Sequence, residues 1–125
     1  MEMSHSLEVF AGDRLIFYSD RSWVYPLLDL EAFFAAGNRP DAELVARDKV
    51  VGKAAAMLMA HVGIHRVEAL LMSELARDFL SGREIPFDHE RLVPRITCRT
   101  EEILGDIDDP AEAYRIIRER AGGAS

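Results

Sequence analysis

A chain of 125 residues and 14.0 kDa is the size of one domain, and 49% hydrophobic against 30% charged residues is the balance of an ordinary globule. Fifteen basic and 22 acidic side chains leave a net charge of −7, which sets aside a nucleic-acid backbone as the main partner because such binding rests on a basic surface. No apolar run reaches the roughly 18 residues of a membrane span, the start Met1-Glu2-Met3-Ser4-His5 lacks signal character, and the lone Cys98 excludes an internal disulfide, so a cytoplasmic setting is expected.

Leu7 to Phe10 and Arg14 to Ser19 are rich in β-formers and flank Ala11-Gly12-Asp13, which predicts a hairpin. Ser22 is placed to cap a helix over 23–36, whose Val24, Leu27, Leu28, Leu30, Phe33 and Phe34 recur at helical spacing. Pro26 fits its first turn, and Gly37-Asn38 ends it. Trp23, Tyr25, Phe33 and Phe34 are assigned to the core. A short strand is expected over 43–47, followed by a helix over 51–62 that is apolar nearly all round and therefore central. Arg66 to Met72 reads as the next strand, with Ser73 capping a helix through Leu80. Glu84 to Phe87 reads as an edge strand because Pro86 is tolerated there. Asp109-Pro110-Ala111-Glu112 opens a last helix that runs to about Ala121.

The alternation predicts a single α/β domain over 1–125, frayed at 1–6 and 122–125: a mixed five-stranded sheet in a three-layer α/β/α arrangement. In such sheets ligands dock outside the carboxyl ends of parallel strands. Two segments are expected at that edge, Asp48-Lys49-Val50-Val51-Gly52-Lys53 and Met72-Ser73-Glu74. The first holds the only two lysines among fifteen basic residues, the other thirteen being arginine. An ammonium is a compact point charge on a flexible stem, so one or both positions are expected to need it. Gly52 lets a ligand approach the backbone, and the helix N-termini attract anions.

Weaker chemical signals accompany this one. Ser73 with Lys53 as base would form a Ser-Lys dyad, with a helix cap as the plainer reading of Ser73. Cys98 between Arg95 and Arg99 would be a nucleophile only with a base nearby, and inert packing is the plainer reading. His61 and His65 stand four apart, but Gly63 between them ends the helix, so no metal site is expected there. Glu101-Glu102 and Asp108-Asp109 read as solvated helix starts.

The order of strands and helices resembles the cytidine deaminase-like fold. Zinc deaminases of that fold carry His-x-Glu and Pro-Cys-x-x-Cys at the starts of two helices. The stretches matched to them, Val51-Gly52-Lys53 and Met72-Ser73-Glu74-Leu75, offer no metal ligands, so zinc-activated water is not expected. At a finer level the chain is similar to the family called domain of unknown function 1893, a zinc-less branch of that fold. The likeness runs from Leu7 to Arg118 on Asp48-Lys49-Val50-Val51-Gly52-Lys53-Ala54-Ala55-Ala56, Ser73-Glu74-Leu75-Ala76, Leu92-Val93-Pro94, Arg99-Thr100 and Ile107-Asp108-Asp109-Pro110. It brings no established reaction and directs attention to Asp48, Lys49, Gly52, Lys53, Ser73, Glu74 and Arg99. Members of the family often carry a segment with Cys-Pro between the equivalent of Arg99 and the last helix; here that loop is short and Cys98 precedes Arg99, which puts any family role of that cysteine in doubt.

The expected function is therefore a metal-free, cofactor-free site for a small anionic or nucleotide-like ligand, held by Lys53 and the helix N-termini with Ser73, Glu74 and Arg99 completing it. The alternative is a non-catalytic module that binds a partner or pairs with a copy of itself through an exposed edge strand.

Overall fold

After an opening hairpin the chain alternates helix and strand. A computed structural model describes residues 3–96, 104 and 106–123. Its elements are β1 (Leu7–Ala11), β2 (Arg14–Ser19), α1 (Tyr25–Phe33), β3 (Leu44–Val51), α2 (Lys53–His61), β4 (Arg66–Ser73), α3 (Glu74–Gly82), β5 (Phe87–Val93) and α4 (Pro110–Gly123). The strand order is β2-β1-β3-β4-β5. β1 is antiparallel to both neighbours, whereas β3, β4 and β5 are mutually parallel. β2 therefore runs in the same direction as β3. This mixed sheet and its four helices make an α/β fold consistent with a three-layer α/β/α arrangement.

Pairing register decides which side chains share a face, because side chains alternate along a strand. Val9 of β1 lies beside Ala46 of β3 and Ala46 beside Val67 of β4, and all three are fully buried. The opposite face carries the row Tyr18, Glu8, Arg47, Glu68 and Asp88 across all five strands, each half-buried or exposed. Those charges are matched within the sheet: Arg47 Nε donates to Glu68 at 2.7 Å, and Arg66 pairs with Asp88.

The core gathers around α2, whose residues Lys53 to Met59 are all buried and which packs against α1, α3, α4 and β3. A run of Ala, Met and Leu with no polar stripe has no other stable place. Gly63, at φ +83°, turns the chain after α2, and Arg39 closes that end by donating to the carbonyls of Val62 and Gly63. α4 docks through Ala113 and Ile117, with the Tyr114 ring stacked on His61 at 4.3 Å and its hydroxyl donating to Glu31 at 3.0 Å.

Several element boundaries differ from the sequence-based expectation. β3 continues to Val51, because Asp48 to Val51 pair with β4 rather than forming a loop. α1 starts at Tyr25 with Val24 as its N-cap, so Ser22 does not cap it. The helix changes to a π turn over Phe34–Asn38 before Gly37, at φ +96°, ends it. β5 covers Phe87–Val93, one residue past Pro86, whose missing N–H had drawn the expectation upstream. Ser6 was expected to fray but is tied in: its N–H donates to Ser19 O and its carbonyl accepts from Lys49 N–H.

Candidate functional site

The carboxyl ends of β2, β3, β4 and β5 lie along one edge of the sheet, and the starts of α1, α2 and α3 follow them. The three helix starts are not equivalent. α3 is capped by its own sequence: Ser73 Oγ accepts from Ala76 N–H at 3.0 Å. Neither α1 nor α2 has a side-chain cap. Gly52 precedes α2 with no side chain to offer, and Val24 precedes α1 with an apolar one. The first turn of α2 therefore keeps the polarity that draws electron-rich ligands, whereas at α1 Pro26 has no N–H and Leu27 N–H donates to Val24 O at 3.1 Å.

Those two uncapped starts border one cleft of about 360 Å³, lined by Ser6, 21–24, Pro26, 48–50, Gly52, Ala54, Ala55 and Ile96. Its walls are mostly apolar. Trp23, the only tryptophan in the chain, stands at its mouth 42% exposed and makes an edge-on contact with Tyr25 at 5.3 Å. Its backbone lies in the left-handed region at φ +59°, a conformation that costs a non-glycine residue on the order of 1 kcal/mol and is concentrated at sites of function. Arg21 braces this wall, donating to both carboxylate oxygens of Asp29 at 2.8 and 2.9 Å and lying over the Tyr25 ring at 4.5 Å. Val50, 44% exposed, forms part of the opposite wall.

Two side chains supply charge. Lys49 is exposed at the rim of the cleft, its side chain leaving the strand on the Arg47 face, from which its long stem can reach back. Asp48 is half-buried, and its register partners are Leu7 and Ala69, which places its carboxyl on the core-facing side of the sheet where the strand meets the cleft. Burial pushes its pKa from 3.8 up to about 7, against the backbone N–H groups of Val50 and Lys49, which pull it down. Val50 N–H donates to its Oδ1 at 3.3 Å. Near neutral pH this carboxyl exchanges between acid and carboxylate, able to donate or accept a hydrogen bond.

Of the residues that sequence had marked for the site, Asp48, Lys49 and Gly52 come together here. Lys53 does not. The sheet-to-helix turn sends it to the other side of α2, where it is 4% exposed, pairs with Asp108 at 3.0 Å and lines a separate cleft of about 380 Å³ with Leu75, Asp78, Phe79, Gly82 and Arg83. Ser73 is fully buried as a helix cap and Glu74 is half-buried near Arg77; neither lines either cleft. The burial of Ser73 keeps its hydroxyl from the solvent access a nucleophile needs. Cys98 and Arg99 lie outside the described residues. His61 stacks on Tyr114 while His65 Nδ1 accepts from Leu44 N–H at 2.9 Å, so the two histidines do not share a site. Among the described residues no three His, Cys, Asp or Glu side chains cluster to hold a metal ion.

Sequence reasoning missed Ser22 and Trp23, which it assigned to a cap and to the core. A signal existed: β2 runs parallel to β3, so the segment after Ser19 arrives at the same sheet edge as Asp48. What was not legible was the left-handed turn that swings Trp23 out of the core.

The comparisons agree with this architecture. The chain is similar to a DUF1893 family protein, TM1506 of Thermotoga maritima, solved by crystallography at 2.70 Å: TM-score 0.79, 27% identity, covering 92% of this chain and 80% of that one. No curated protein matches. The family model described as domain of unknown function DUF1893 matches residues 1–121. With nearly its whole length so matched, the chain belongs to the DUF1893 family.

Proposed function

We propose that the cleft between the starts of α1 and α2 binds a small nucleotide-like molecule, a planar ring carrying an anionic group. The observation that carries this reading is the convergence of the uncapped α2 N-terminus, Trp23, Asp48 and Lys49 on one mostly apolar cleft. An aromatic face, a hydrogen-bonding carboxyl and apolar walls suit a heterocycle. The α2 start and the Lys49 ammonium suit a phosphate or carboxylate. The resemblance to the cytidine deaminase-like fold points to the same class of ligand, and this chain is read as a metal-independent member of that fold. Binding is the activity this arrangement supports.

Trp23 makes the proposal directly measurable, since all tryptophan emission comes from the cleft wall. Titration with nucleosides, mononucleotides and sugar phosphates is expected to change that emission saturably for at least one mononucleotide, more tightly than for its nucleoside. Lys49→Ala is expected to shrink the difference by about tenfold, or roughly 1.4 kcal/mol. A flat emission across the series, with an unshifted melting temperature, rejects it.

A further inference from the structure

We propose that this protein forms a two-fold dimer in which β2 pairs antiparallel with β2 of a second copy, joining two five-stranded sheets into one. Two strands end the sheet, and they are unlike. β5 exposes Asp88, His89, Glu90 and Arg91 in succession, the kind of charged margin that discourages strand addition. β2, by contrast, opens on the exposed Arg14 and then reads Leu15-Ile16-Phe17-Tyr18-Ser19, five residues with no charge, proline or glycine. Among the described residues, the large apolar side chains left exposed are Leu15, Tyr18, Trp23 and Val50. Trp23 and Val50 belong to the cleft; Leu15 and Tyr18, 43% and 55% exposed, both sit on β2.

The sequence of β2 complements itself. Leu15 pairs with Phe10 and Tyr18 with Glu8, so both project on the sheet face that carries Arg47. A register shift opposite Val9 and Phe10 leaves Ile16 and Phe17 between them, both half-buried against the core. A two-fold axis between Ile16 and Phe17 then sets Leu15 beside the partner's Tyr18, and Ile16 beside the partner's Phe17, with every pair on matching faces. Each aromatic–aliphatic pair occurs twice and stabilises the junction. His5, stacked on Tyr18 at 4.0 Å, supports that ring from its own chain. Because each copy carries −7, screening by salt is expected to strengthen the dimer. The inference is independent of the cleft.

Sedimentation across a concentration series tests it. The wild-type chain is expected to move from monomer to dimer, more readily at higher salt. Leu15→Lys with Tyr18→Lys is expected to stay monomeric while keeping the wild-type circular dichroism, since both positions are exposed. Register is tested by Leu15→Cys with Tyr18→Cys, in a Cys98→Ser background. Within one strand these positions stand about 10 Å apart, beyond disulfide reach, so oxidation can link them only between copies. The double variant is expected to form a covalent dimer, and Leu15→Cys alone is not. A wild-type chain that remains monomeric at its highest soluble concentration, or a dimer that survives the lysine pair or fails to cross-link, overturns the proposal.

Discussion

Asp48 carries opposed demands in a single side chain: it belongs to a strand whose neighbours are core residues, yet it faces a cleft. Its folded pKa lies above the unfolded value, so between about pH 4 and pH 7 the folded state binds the proton that the unfolded state has lost. Stability from this group is therefore full below about pH 4 and declines as pH rises to about 7, by on the order of 4 kcal/mol at most. Asp48→Asn removes that titration. Urea unfolding should show the variant matching the wild type at or below pH 4 and exceeding it at pH 8; parallel pH profiles would rule the carboxyl out as the cause. A second contrast concerns Lys53. Its ammonium is buried while Asp108 is 83% exposed, so the two partners are not interchangeable. Asp108→Asn leaves a buried charge with a weaker partner, whereas Lys53→Met leaves only a solvated carboxylate. Thermal melts are expected to show Asp108→Asn as the costlier change, by about 1 kcal/mol or more, and neither should alter Trp23 emission on ligand titration.

Among the helices, what distinguishes α3 from α1 and α2 is one hydroxyl. Ser73→Ala removes the cap hydrogen bond at a fully buried position and should lower stability by about 1–2 kcal/mol, read from urea midpoints, with ligand response at Trp23 intact. A loss of that response would return Ser73 to the site. The C-terminal end of α2 offers a further check. At Gly63 an added Cβ would lie 2.6 Å from the Arg39 guanidinium in a left-handed backbone, so Gly63→Ala should cost roughly 1–2 kcal/mol in thermal unfolding. Elements of this kind were well marked in the sequence: the apolar run of α2, the Ser73 cap and the Asp109-Pro110 start, where Asp109 Oδ1 accepts from Ala111 N–H, all signal locally. β3 was cut short because Asp48-Lys49 looks like a turn; pairing with β4 overrides that local preference.

At the scale of the molecule, the α/β class and the order of its elements were legible because hydrophobic period and turn chemistry are local. The site was legible only in half. Asp48, Lys49 and Gly52 share one stretch of chain, whereas their companions from Arg21 to Val24 arrive through strand pairing more than twenty residues away. The grouping of Lys53 with Lys49 failed for a geometric reason: past Gly52 the chain changes from strand to helix, and the two amines part to opposite sides of α2. The dissimilar borders of the sheet also limit assembly size. A molecule adhesive along one border only, and joined there about a diad, has spent that border once paired, leaving charged β5 at both extremities. In the dimer proposed above growth would end at two, so concentrated solutions should remain free of filaments.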